Sequence, residues 1–532
     1  MILQKHLFII SCLIILCVDN GYSQKQKSSL RVKIIELNSD MPTPVRVKIT
    51  DSDNNAVTSL PKEVISIMYG RNDRFERYGF QPDSSFYVGG EFNIDLKEGK
   101  YQIKISKGME YLDQIHAINL KEGEQKILNY EMKRWVNMEK QGWYSADDHI
   151  HIRRSPRENP LLLKWIEAEG LNVGVMLQMG DIWTTYFSQY GFGEKGSYLE
   201  NLSLISAGQE EPRTHELGHT ISLVADDFVR SWGDDYYLYN NNFDKIHELN
   251  GIVGYAHQGS MFNGYRGMTM DVLDNKVDFL EILQYCADEG PLITTNYYHF
   301  LDLGYKLTAT AGSDFPWCGN GSRFGTEGPP WNARIGNVRF YTHIEGEFNY
   351  KSWKKNIVGG HTFVSSGPML LFKIDNQLPG AEINLKHKQK VSVSAEAFGN
   401  QYQVPLSKLE IVAHGEVIKV IYPNNLNQTT EHLTLNFDIE VEAGIWIAAR
   451  TYAGPSQVAH TTPIYISVDN KGFHNDATLQ EYLELNEKYL NEIEIEINKP
   501  FVSIYRNSWR YKKELMERIE KTRIIIDSLK EK

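Results

Sequence analysis

Gly142-Trp143-Tyr144-Ser145-Ala146-Asp147-Asp148-His149-Ile150-His151 opens the middle part of the chain and decides how it is read. If the segment is a strand, residues two apart project from one face. His149 and His151 then point together and offer two imidazoles to one cation. A pair of solvated histidines in a polar loop is the competing reading, so the motif needs partners.

Those partners follow in chain order. Ser206-Ala207-Gly208-Gln209-Glu210 ends a short apolar run in a carboxylate, which can bridge two cations because each oxygen can bind one. His219 comes nine residues later. Gly251-Ile252-Val253-Gly254-Tyr255-Ala256-His257 sets a histidine at the end of another apolar strand, and Leu307 to Asp314 ends a third in an aspartate. Singly, these are a solvated loop charge, a strand-capping histidine and a helix N-cap. Four strand-end signals in one region point to a metal centre.

Working outward, the texture between about Trp135 and Pro368 alternates helix-length stretches, such as Pro160 to Glu169, with short apolar strands, such as Val173 to Leu177. That alternation predicts an α/β barrel or layered sheet, with the chemistry at strand ends. On either side the pattern has period two. Leu30 to Ile34 and Val45 to Ile49 belong to a predicted β-sandwich over 24–135, and Lys390 to Glu396, Leu409 to Val412, Leu433 to Ile439 and Ile445 to Arg450 to a second over 370–470. Residues 471–532 read as a helical tail. Leu479, Tyr482, Leu483, Leu490, Ile493 and Ile497 form one apolar face, with Asp476 as N-cap; Leu515, Ile519, Ile526 and Leu529 form a second beyond Pro500.

The segments from Gly142 to His151, Gly208-Gln209-Glu210, Gly218-His219, Ala256-His257 and Gly312-Ser313-Asp314 resemble the successive motifs of the PHP (polymerase and histidinol phosphatase) superfamily. Gly142-Trp143, Ala168-Glu169-Gly170-Leu171-Asn172-Val173 and His361 to Pro368 are most similar to its CehA/McbA branch, named for carbamate-ester hydrolases. The resemblance covers roughly residues 135–370. It implies a distorted seven-stranded (β/α) barrel over 136–369 with metals at one mouth. Three histidines common in that superfamily are missing, at Leu177-Gln178-Met179, at Pro316 and between Arg153 and Asn159, so a third metal site is lost as a unit.

The resulting expectation is two divalent ions, zinc before manganese or iron. His149, His151, Glu210 and Asp314 are assigned to one, and Glu210, His219 and His257 to the other. Attack by a metal-bound hydroxide would then cleave an ester, phosphodiester or carbamate-type bond. Glu210, His215 and Arg323 are the residues expected to assist. Arg334 is a second candidate anion clamp, and Asp181 a stand-in for a lost carboxylate ligand. Aromatic density at Trp183, Tyr186, Trp232, Tyr236, Tyr237, Tyr239 and Trp317 suits a small-molecule or glycan-derived substrate, or the packing of long insertions. The competing class is a non-catalytic glycan-binding protein with a structural metal.

Bulk properties narrow the field. A formal charge of -12 over 532 residues argues against a broad basic surface for nucleic acid. Lys5 and His6 precede an apolar run from Leu7 to Val18, and Gly21-Tyr22-Ser23 offers a small-x-small cleavage site. Residues 1–23 therefore read as a signal peptide, too short in its apolar part for a transmembrane segment, and the protein is expected to be exported, periplasmic or secreted. Cleavage removes Cys12 and Cys17 and leaves Cys286 and Cys318, as a disulfide or as two thiols.

Overall fold

The period-two runs near the N-terminus form two facing sheets. One holds Gln125–Met132, Ser28–Glu36 and Glu91–Leu96; the other holds Val64–Ile65, Phe86–Val88, Val45–Asp51, Gly99–Ser106 and Gln114–Leu120. Leu30, Val32 and Ile34 of the first pack against Val45, Val47, Ile49, Ile103 and Ile105 of the second in one core. The computed structural model describes residues 27–69, 76–230, 236–257, 262–284, 292–316, 333–400, 403–424, 431–454, 456–499 and 511–531. The expected signal peptide, both remaining cysteines, Arg323, Trp232 and Trp317 lie outside the described residues.

The chain is a mixed α/β structure. Seven strands carry the middle region: β1 (Trp143–Ile150), β2 (Val173–Gly180), β3 (Ser203–Glu210), β4 (Gly218–Leu223), β5 (Ile252–Tyr255), β6 (Phe279–Gln284) and β7 (Thr308–Gly312). Each is hydrogen-bonded to the next. β1, β2 and β3 run parallel, β4 is antiparallel to both β3 and β5, and β5, β6 and β7 are again parallel. β7 returns to β1 through one isolated bridge, Ile150 to Phe315, not a continuous ladder. All seven strands are buried on both faces, which is why their sequences read as unbroken apolar and small-residue runs.

This topology puts chemistry on one rim. The C-terminal ends of the parallel strands and the N-terminal end of antiparallel β4 share the same edge. Glu210 ends β3, His219 is the second residue of β4, and His257 and Asp314 each follow their strand by two residues. Around the sheet lie helices α1 (Asn159–Ala168), α2 (Tyr239–Glu248), α3 (Gly264–Leu273) and α4 (Thr295–Asp302). Pro160 sits in the first turn of α1, where its missing N–H costs no helical bond.

On the other side of β1, β8 (Arg339–His343) pairs antiparallel, and β9 (Thr362–Ser365) pairs with β8. β9 also pairs with Gln457–Thr461, so hydrogen bonding runs without a break from the middle region into the C-terminal strands. Those strands pack against a three-stranded sheet of Met369–Ile374, Gln389–Phe398 and His432–Val441. The tail is two helices, α5 (Leu479–Asn498) and α6 (Lys512–Lys530), with Leu483, Leu490, Ile493, Ile497, Leu515, Ile519, Ile526 and Leu529 buried as the periodicity predicts. The expected cap is corrected: Thr478, not Asp476, holds the N-cap position, and the Asp476 carboxylate is 87% exposed, 3.0 Å from His474. The tail docks on α3, where Arg518 pairs with buried Asp271 and Thr269 Oγ1 donates to Asn486 Oδ1 at 3.2 Å. Among the described residues no helix is long and apolar enough to cross a membrane.

Candidate metal centre

Four strand ends bring His149, His151, Glu210, His257 and Asp314 into one buried cluster. His149 Nε2 lies 3.2 Å from His151 Nε2, and Asp314 Oδ1 lies 3.3 Å from the first and 3.4 Å from the second. Glu210 Oε2 is 3.4 Å from His151 Nε2, and Asp314 Oδ2 is 3.3 Å from His257 Nε2. Two imidazole nitrogens facing each other beside a carboxylate converge on a common point, the arrangement a cation resolves. Two donor groups, His149 with His151 and Asp314, and His149 with Glu210 and His257, each place one ligand atom per residue within 4.8 Å of one another. The residues present could hold a metal ion.

His219 stands beside these groups. Its Nδ1 is 2.7 Å from Glu210 Oε1, and its ring stacks on Phe262 at 4.0 Å. Of the sequence grouping of Glu210, His219 and His257, Glu210 and His257 fall in one donor group with His149, and the His219 ring lies 5.3 Å from that of His257.

The local backbone explains the convergence. Asp147 Oδ1 accepts from the His149 and Ser313 amides and Oδ2 from the Gly336 amide, tying β1 to the end of β7. Gly312 is required there, since a Cβ would come within 2.4 Å of His149 Cβ. His257 (φ 41°) and Asp314 (φ 53°) both adopt left-handed backbone, a strained conformation concentrated at functional sites.

Burial and charge set the protonation of the donors. Burial, helped by neighbouring Arg213, pushes His219 down to about 4, and burial pushes His257 down to about 3. Both imidazoles are therefore neutral near pH 7 and able to ligate. Burial opposes the charge on His149 too, but Asp314 and Glu281 outweigh it and raise its pKa well above the usual range. Glu210 is held well below the ordinary carboxylate range: burial works against ionisation, but Arg213, then His219 and His151, overcome it.

Glu281 and Arg213 are the residues that sequence reasoning missed. Glu281 Oε1 is 3.0 Å from His149 Nδ1, and Oε2 accepts from the His257 amide at 2.9 Å. One carboxylate thus orients two donors and keeps the His149 proton on Nδ1, leaving Nε2 for a cation. An acid inside the apolar run Phe279-Leu280-Glu281-Ile282-Leu283 was the available signal. We expect Glu281→Gln to lower metal affinity by about 10- to 100-fold, read by competition with a chelator. Affinity equal to the parent chain would remove Glu281 from this role.

The remaining predicted residues fall elsewhere. His215 is exposed and lines a cavity next to the cluster, its ring 5.2 Å from Phe262. Asp181 lines the same cavity but is in neither donor group; its oxygens accept from the Trp183 and Thr184 amides and from the Tyr186 hydroxyl, each at 2.8 Å. Arg334 lies by Glu169, Nε to Oε1 3.6 Å, in a cluster with Arg46 and Tyr87. Of the aromatic residues, Tyr236, Tyr237 and Tyr239 are buried, and Trp183 is exposed.

No family model matches the chain, and no curated protein matches it. Among solved structures, the chain is similar to a β-glucosidase from Listeria innocua in complex with glucose at 10% identity, over 65% of this chain and 40% of that one. The TM-score is 0.12, a likeness that carries no argument about fold or function.

Proposed function

We propose that the chain is an exported metal-dependent hydrolase of the PHP kind, in the CehA/McbA-like branch, which cleaves an ester, phosphodiester or carbamate-type bond at a binuclear site. The observation that carries this reading is the buried cluster of His149, His151, Glu210, His257 and Asp314, on the rim where strand ends meet. The distorted seven-stranded barrel is part of the proposal. It is supported by the unbroken pairing order β1 to β7 and by the Ile150–Phe315 bridge between first and last strands.

His149, His151, Glu210, His257 and Asp314 would hold two divalent ions, zinc by the imidazole-rich donor set, with His219 completing the Glu210 side. Bound there, such ions lower the pKa of water toward neutrality and polarise the scissile oxygen. The chain's own residues do the rest. Glu281 fixes the His149 tautomer, and Asp147 clamps the two strand ends. We assign to His215, on the cavity rim, the exchange of a proton with the leaving group. Arg323, the third residue assigned an assisting role, lies outside the described residues.

The test is elemental analysis of the mature protein and of His149→Ala, with ester and phosphodiester hydrolysis measured before and after chelation. About two transition-metal ions per chain, lost in the variant along with turnover, is the expected result. One ion or none, unaffected by the substitution, would sink the proposal. Chelation that lowers only the melting temperature would favour the glycan-binding protein.

A further inference from the structure

A cavity of about 280 Å³ adjoins the donor cluster, walled by Arg213, His215, His219, Tyr236, Tyr237 and Phe262. Arg213 is its only Arg or Lys among the described lining residues. The arginine is held from behind. Its amide donates to the Tyr236 hydroxyl at 3.1 Å, and the next amide, of Thr214, donates to the Tyr239 hydroxyl at 2.9 Å. Tyr239 then donates to the Gly218 carbonyl at 2.7 Å, which locks the two-residue strand Arg213–Thr214 onto β4.

The guanidinium itself is poorly matched. Its nearest carboxylate among the described residues is Glu210, with Oε2 3.6 Å from Nε, beyond hydrogen-bond distance and not the bidentate geometry the fork favours. Its Nη2 is 3.5 Å from His219 Nδ1, a nitrogen that also faces Glu210 Oε1 at 2.7 Å. Both of these partners are groups assigned to cations. Once Glu210 and His219 direct their electron pairs to metal, Arg213 keeps a positive charge, about three-quarters buried, next to further positive charge. With its one close carboxylate shared with a cation, the largely buried guanidinium is under-compensated, so the loaded site favours an anion at this wall. Asp181 also lines the cavity but forms no ion pair with Arg213; its oxygens face the Trp183 and Thr184 amides and the Tyr186 hydroxyl instead.

Resting on the hydrolase reading above, we propose that Arg213 and this cavity bind an oxyanion carried by the substrate, so that the enzyme selects small anionic esters over neutral carbamate esters. The cavity lies at the small end of ligand pockets, large enough for a phosphate or carboxylate on one ring-sized group. Phe262, stacked on His219, and Tyr237 give that group apolar walls.

The experiment titrates inorganic phosphate into the metal-loaded protein by calorimetry, with metal content measured on the same samples, for the parent chain, Arg213→Gln and Arg213→Lys. The expected result is unchanged metal content in all three and phosphate affinity lowered about tenfold or more in Arg213→Gln. Arg213→Lys, which keeps the charge without the fork, falls between. Equal phosphate affinity in the parent and Arg213→Gln, with metal intact, overturns the proposal and leaves the metal centre standing. Loss of metal in Arg213→Gln and Arg213→Lys together overturns it in favour of a role in positioning Glu210. A parent chain that takes up no metal brings down the hydrolase reading and this inference with it.

Discussion

Asp314→Asn is expected to empty both donor groups at once, whereas His219→Ala should leave at least one ion in place. Asp314 Oδ1 faces His149 and His151, and Oδ2 faces His257, so its carboxylate reaches into both groups; His219 faces the carboxylate of Glu210 and meets His257 only ring to ring, at 5.3 Å. Asparagine is the informative replacement because it tolerates the left-handed backbone at φ 53°, which alanine would strain by roughly 1 kcal/mol. Metal content and turnover should both fall to background in Asp314→Asn while the fold persists by circular dichroism. Retention of two ions in that variant would show that Asp314 is not a ligand.

Asp302→Ala is expected to cost about 3–5 kcal/mol of stability, because it breaks a buried charged hub. Asp302 closes α4 and is buried. Oδ1 accepts from Trp446 Nε1 at 2.7 Å and is 3.1 Å from His414 Nδ1, while Oδ2 accepts from Asn475 Nδ2 and Thr478 Oγ1, each at 3.0 Å. One carboxylate therefore joins the middle region, the C-terminal strands and the start of the tail. Alanine strands a buried indole N–H and three further polar groups. Burial raises the Asp302 pKa, but His414, Asn475 and Trp446 lower it more, and the net position is below the ordinary value. Its stabilisation is thus fully present above the unfolded carboxylate's pKa and is lost as pH falls through the folded one. Urea denaturation of parent and variant at pH 7 and in acid measures both effects. A difference under about 1 kcal/mol at pH 7 would show that the hub is replaced by water.

The donors were legible because each ends a run of residues buried on both faces, so a polar ligand stands out against an apolar background. His149, Glu210, His257 and Asp314 all have this signature. The two sandwiches were legible from period-two burial, as in Leu30, Val32 and Ile34. Arg213 was not, because its role depends on a two-residue strand folding back on His219, and nothing in Pro212-Arg213-Thr214 announces that turn. The tyrosines at 236, 237 and 239 could not be sorted, since an aromatic ring that packs and one that greets a substrate have the same letter. Burial, with hydroxyls bracing Arg213 and Thr214, gives Tyr236 and Tyr239 a supporting task, while Tyr237 lines the cavity. The cap at Thr478 displaced Asp476 because Thr478 is drawn in by Asp302, a partner 176 residues away.

The pairing of β9 with Gln457–Thr461 also has a consequence for the order in which the protein is made. Every proposed ligand is encoded by residue 314, but the strand that covers the open edge of β9 arrives only after residue 456. A chain emerging from its N-terminus would carry a complete ligand set while still offering an unpaired, wholly buried-type edge, the kind of surface on which nascent proteins stick to one another. The part of the chain from Gln457 onward thus acts as a built-in companion for the middle region, and a product shortened to that region would hold its donors but lack its own cover.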